Sequence, residues 1–366
     1  MKITYLLGAG ASALGVPTSD KFNGQLRLFL DEISANRGKL TSPSQATPQA
    51  EFEEMTGRML KEADILYREL AGYTSLDVYA RQLYLTSQSV KSRQFKALVS
   101  AFLIFHQLEN RPDKRYDHFI ANILDRNDKG EINLPMELLM LSWNYDFQME
   151  LAAANYFREQ KVARMQEILN FYPRVQLQDL EREMLNKYSV IKLNGTSAGT
   201  MPDDSSYVPL QFSLKPEGDT DPASLRNLRL GEAILHYNSF TNPSTFIVPD
   251  IMNSWEVSPI QKRMRAYLKY KSYNTDVLVV LGYSYPTFNR RFDRELLANM
   301  QLLKEVCIQA PSDAIQGIAD RFYALLGPER VLGMGKSTNP VKVRLVEMKT
   351  KESDDEFYVP FQATSF

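Results

Sequence analysis

Short, continuous apolar runs recur along the chain, rich in β-branched residues and closed by glycine or polar positions. They are Ile3–Leu7, Leu138–Trp143, Val190–Leu193, Phe246–Val248, Val277–Leu281, Val306–Gln309 and Val341–Val346. Runs this short, with no apolar/polar alternation, predict strands buried on both faces, as in a parallel sheet. Helical patterns stand between them. In Phe95–Leu108 the residues Phe95, Leu98, Val99, Phe102, Leu103 and Phe105 share one face, and Phe147–Gln160 and Pro259–Tyr270 are also helical. Strands alternating with helices predict an α/β fold, a doubly wound, mostly parallel Rossmann-like sheet.

The spacing of the strands is uneven. The first ends near Leu7 and the next begins near Leu138, with a mostly helical stretch between them that is broken by the loop-forming run Thr41–Pro48. A simple crossover needs far fewer residues, so a large helical insertion is expected over 25–133. A stretch rich in Gly, Pro, Asp and Ser predicts a second, irregular insertion over 201–243. The whole chain is thus expected to be one domain, with its core in 1–24, 134–200 and 244–348 and a tail over 349–366. In the tail, Lys349–Glu356 reads as a solvated charge run.

Composition narrows the classes. With 44% hydrophobic and 24% charged residues in 366, the chain has the make-up of a soluble globular protein. Lys+Arg 43 against Asp+Glu 44 leaves no basic excess for a nucleic-acid backbone. No apolar stretch approaches a membrane span or a signal peptide, so a cytoplasmic protein with no membrane partner is expected. The single cysteine, Cys307, rules out a disulfide framework and a paired-cysteine zinc module, and its apolar neighbours predict a core thiol.

Candidate chemistry gathers at strand ends. Gly8-Ala9-Gly10-Ala11-Ser12-Ala13 follows the first strand and fits GxGxxA, the turn that brings a pyrophosphate onto backbone N–H groups at a helix start. Leu141-Ser142-Trp143-Asn144-Tyr145-Asp146 puts Asn144 and Asp146 at the end of a second strand, Lys192-Leu193-Asn194-Gly195 does so for Asn194, and Leu281-Gly282-Tyr283-Ser284 ends a third. In open α/β sheets such ends converge on a ligand crevice. Asp31 and Glu32 lie where a dinucleotide fold carries its ribose-binding acid, but their helix predicts a solvated face.

Taken in order, GAGAS with Gly15-x-Pro17, WNYD, KLNG, then GYS with Phe288-Asn289 and Asp293, the motifs resemble the SIR2-like family, and more narrowly its zinc-free members from bacterial defence systems. The resemblance implies NAD as ligand, no metal, and cleavage of NAD to nicotinamide and ADP-ribose. It also implies a conditional effector of anti-phage defence, assembled as a homo-oligomer and answering to an infection signal or a partner protein encoded nearby. By resemblance, Gly8, Ala9, Gly10, Ser12 and Pro17 bind NAD, Asn144 stands by the nicotinamide ribose, Asp146 orients it, and Gly195 closes the KLNG turn. Gly282 and Ser284 follow the adenosine half, and Asp293 is a supporting acid.

One position departs from the family. Where the family carries histidine as general base (KLHG), this chain has Asn194, and an amide does not titrate near neutral pH. Three histidines exist, His106, His118 and His236; His118, beside Asp117, is the expected replacement among them. The expected activity is therefore a weakened or conditional NADase. The alternatives are an NAD- or ADP-ribose-binding regulatory module, a deacylase, disfavoured without a zinc module or a base, and a scaffold that has lost the nucleotide.

Overall fold

A computed structural model describes residues 1–159, 161–172, 187–200, 207–208, 221–256, 259–326, 346–353 and 355–360. The first half contains β1 (Lys2–Leu7), α1 (Ser19–Asn36), α2 (Gln49–Leu70), α3 (Leu76–Leu85), α4 (Ser89–Glu109), α5 (Lys114–Ile123), the hairpin β2 (Asp125–Arg126) and β3 (Ile132–Asn133), β4 (Leu138–Ser142), α6 (Gln148–Phe157), α7 (Val162–Ile168) and β5 (Phe171–Tyr172). The second half contains β6 (Ser189–Lys192), β7 (Gly195–Thr200), β8 (Tyr207–Val208), α8 (Pro222–Thr241), β9 (Val248–Ile251), α9 (Pro259–Ser272), β10 (Thr275–Leu281), α10 (Arg290–Asn299), β11 (Glu305–Ala310), α11 (Ser312–Leu326) and β12 (Glu347–Glu352).

Seven strands form one sheet in the order β12-β11-β10-β1-β4-β6-β5, every neighbouring pair parallel. The fold is α/β, in accord with a Rossmann-like arrangement. Successive side chains of each strand point to opposite faces. Leu6, Leu141, Ile191, Val280 and Ile308 pack under α9, α10 and α11, whereas Tyr5, Leu7, Met140, Val190 and Val279 pack under α5, α6 and α7. Both faces are therefore buried, which is why these strands read as unbroken apolar runs. A third core joins α1–α4 to α8, with Phe22, Phe102 and Leu98 against Leu230, Ile234 and Tyr237.

Strand order locates the crevice. From β1 the chain goes to β4 on one side, on to the edge strand β5 and back to β6 between them, then crosses to the other side of β1 for β10, β11 and β12. The direction reverses between β1 and β10, the switch point outside which open α/β sheets bind ligands. Lys192, Ser142, Leu7, Leu281 and Gln309 lie in one register row across the carboxyl ends.

Several expectations need correcting. Phe246–Val248 does not join the parallel sheet; the strand there is β9, which pairs antiparallel with β7 in a separate three-stranded sheet with β8. The segment expected to be irregular contains the 20-residue helix α8, started by Asp221, whose carboxylate accepts the Ala223 and Ser224 amides, with Pro222 at its first turn. Lys349–Glu352 is not loose charge but most of edge strand β12, whose lysines and glutamates blunt the open edge. All but Val346 of the expected strand Val341–Val346 lies outside the described residues. No helix among the described residues is long and apolar enough to cross a membrane. Cys307 is buried, and burial pushes its thiol up to about 11.

Candidate functional site

A cavity of about 330 Å³ lies beyond the carboxyl ends of β1, β4, β6 and β10. Gly8, Ala9, Ser12, Pro17, Asn144, Asp146, Asn194, Gly282 and Ser284 all line it, so four separate strand tips meet there. The far wall comes from helices of the third core: Phe22 of α1, Leu76 and Asp77 of α3, and Val99 and Leu103 of α4.

The first turn is not the expected helix start. A single 3-10 turn, Ala9–Ser12, follows Gly8, and α1 begins only at Ser19, so the turn does not itself open the long helix that the motif predicts. Nor does Gly10 line the cavity. Its glycine is required by backbone packing: a Cβ would come within 2.8 Å of the Gly282 Cα, and one on Gly8 within 2.6 Å of the Gly282 carbonyl oxygen. The Gly10 amide donates to that same carbonyl at 3.0 Å. The two glycine turns thus lock the β1 and β10 tips together, and what faces a ligand is Ala9, whose amide has no acceptor among the described residues.

Asn144 completes this lock. Its Nδ2–H₂ donates to the Gly8 carbonyl at 2.9 Å and to Ser12 Oγ at 3.1 Å, while its own amide N–H reaches Ser142 Oγ at 3.1 Å. With both side-chain donors committed, its Oδ1 is the group left to accept from a ligand hydroxyl. Ser12 also meets the Tyr116 hydroxyl at 3.2 Å. Arg115 supports the turn from behind, donating to the Gly10 carbonyl at 2.9 Å while paired with Asp113 at 2.6 Å.

Asp146, just before α6, accepts the amide of its first residue Gln148 at 3.2 Å, and has the buried Lys192 ammonium at 3.9 Å. Asn194 donates to the Trp143 carbonyl at 3.3 Å, and its Oδ1, like Trp143 Nε1, is buried without a hydrogen-bond partner among the described residues. Such orphaned polar atoms are rare in folded proteins, and two of them belong to cavity-lining side chains. Gly195 does not line the cavity. It turns the chain from β6 into β7 at φ +75°, where a Cβ would run into the Asp250 carbonyl oxygen.

Asp293 stands one layer back. The Tyr283 hydroxyl donates to its carboxyl at 2.9 Å, Asn289 donates to that hydroxyl at 3.0 Å, and the Tyr283 ring stacks on Trp143 at 5.8 Å. Burial pushes the Asp293 carboxyl up to about 8. Its role is to hold the cavity wall.

His118 is not in the site. It lies exposed on α5, paired with Glu356 at 3.2 Å, away from the residues that line the cavity. His236 is half-buried, with its Nε2 at 2.9 Å from Ser100 Oγ, and the surrounding protein drives its imidazole down to about 3; His106 packs on the Phe102 ring. Asp31 and Glu32 are surface partners of Arg27 and Arg226. Among the described residues no group of three His, Cys, Asp or Glu could hold a metal ion.

Sequence reasoning missed Asp77. It reaches solvent and lines the cavity, yet the protein packed around it pushes its carboxyl above the ordinary value. In the sequence it is merely an acid in the first turn of a helix, capped by Ser75, more than sixty positions from the nearest lining strand tip of β4. Neither the protein-family models nor the curated proteins match this sequence.

Proposed function

We propose that the chain is a SIR2-like NAD glycohydrolase, a conditional effector that cleaves NAD to nicotinamide and ADP-ribose. One observation carries the reading: Asn144, the residue the family resemblance sets beside the nicotinamide ribose, bridges the glycine turn and lines the same cavity as Asn194, Gly282 and Ser284. In this reading the free Ala9 amide and the Ser284 turn serve the diphosphate and adenosine side, and Asn144 Oδ1 and the Asn194 amide position ribose hydroxyls or water. The bond to be broken joins C1′ to a cationic ring that leaves neutral, so the leaving group needs no proton and the barrier yields to positioning and electrostatics.

Incubating purified protein at high concentration with NAD and following nicotinamide by chromatography tests this. Nicotinamide and ADP-ribose should appear in equal amounts, and Asn144→Ala should lose about 10²-fold or more of the rate. A second reading, a module that holds NAD or ADP-ribose without turning it over, is favoured by Asn194 in place of a titratable base. Calorimetry separates the two: binding with no release of nicotinamide, alone or with proteins encoded nearby, establishes the second and sinks the first.

A further inference from the structure

Asp77 combines access, chemistry and placement. Two carboxylates line the cavity, and no lysine, arginine or histidine does so among the described residues. Asp146 is committed to the Gln148 amide and faces Lys192. Asp77 has no hydrogen-bond or ion-pair partner among the described residues; Arg81, one turn further along α3, lies over the rings of Tyr84 and Trp255 instead.

We propose that Asp77 is the catalytic base that Asn194 cannot be, taking a proton from the water that attacks C1′ of NAD. This rests on the glycohydrolase reading. In the step, the C1′–N bond breaks with its electron pair going to the pyridinium nitrogen, and nicotinamide leaves neutral. The water oxygen bonds to C1′ and its proton passes to the Asp77 carboxylate, then to solvent, leaving ADP-ribose. A carboxylate in a cavity without cations also stabilises the positive charge that grows on the ribose as the ring departs. The titratable groups that share the cavity with it are Tyr145 and Asp146 from the β4–α6 loop and Tyr283 from the β10 tip; Glu256, which with Asp77 acts on the Tyr145 phenol, is itself paired to Lys96 at 2.7 Å. The protein packed around Asp77 raises its carboxyl above the ordinary value, a direction that favours proton uptake by a general base and that water reaching the exposed side chain moderates.

The test uses the full chain. Wild type, Asp77→Asn and Asp77→Glu are compared for kcat, KM and pH profile, with NAD binding by calorimetry and fold by circular dichroism. Wild type should lose kcat as pH falls, with a midpoint above that of an ordinary carboxylate. Asp77→Asn should lower kcat by about 10²–10⁴-fold and abolish that acid limb, with NAD affinity held within about threefold, and Asp77→Glu should recover part of the rate together with the limb. A folded Asp77→Asn that keeps kcat within about threefold, or keeps the acid limb, overturns the role of Asp77 and leaves the glycohydrolase standing. A wild type that releases no nicotinamide overturns both. Should Asp77→Asn not fold, Asp77→Ser is read by the same criteria.

Discussion

Gly195 and Asp293 show how single residues hold the cavity in shape from outside it. At Gly195 a positive φ and the Asp250 carbonyl both exclude a side chain. Gly195→Ala is expected to cost about 3 kcal/mol or more in urea denaturation, since backbone strain and steric overlap add. At Asp293 the carboxyl is pushed from an ordinary 3.8 up to about 8, so the folded chain holds a proton that the unfolded chain has released. The stability this group confers is therefore complete below about pH 4 and is lost as pH rises through about 8. Asp293→Asn keeps an acceptor for the Tyr283 hydroxyl but cannot ionise. The urea midpoint of the variant should fall less steeply than wild type over that window; parallel curves would refute the assignment. The roles of these residues were unequally legible. Asn144 and Gly282 stood out as polar or glycine endings of apolar runs. At Gly10 the sequence does not say which need the glycine meets, because a glycine that admits a phosphate and one that admits another backbone look alike. Asp77 was silent, since nothing local distinguishes a cavity acid from a helix-start acid.

Among the elements, the buried strands were legible because burial on both faces leaves no polar alternation. The exceptions follow from the same physics. β12 is an edge strand with a charged, largely exposed pattern, β5 is two residues long, and β9 pairs antiparallel away from the main sheet. α8 was hidden by the turn-rich composition before it, although Asp221-Pro222 is a helix-start signal in its own right. The segment after β12 returns to the site's foundation. Phe357 meets the Tyr116 ring edge-on at 5.0 Å and lies under the Arg115 guanidinium at 5.1 Å, and these two side chains hold Ser12 and the Gly10 carbonyl. Phe357→Ala should lower stability by about 3 kcal/mol, the low end for a buried phenylalanine. Hydrogen exchange should show faster opening at the Gly10–Ser12 amides and unchanged protection in α8; equal loosening of both would mean a global effect only.

For the whole molecule, α/β class and strand-end convergence could be read from the order of apolar runs, but the cavity's second wall could not. It is built by α1, α3 and α4, which are held to α8 by a core of their own. Which helix of that group faces the strand tips is decided by packing across long stretches of chain, and helical periodicity only says that each has an apolar side. The resulting cavity combines Asp77 from a helix with Asn144, Asp146 and Asn194 from strand tips, a set that no single motif contains.

The central strand has a temporal consequence. β1 is made long before its neighbour β10 and the Phe357 prop beneath its turn. Synthesis proceeds from the amino end, and pairings this remote wait for their partners to emerge. A nascent polypeptide from which β10 has not yet emerged therefore carries no finished pocket, whatever it has already built of the opposite wall.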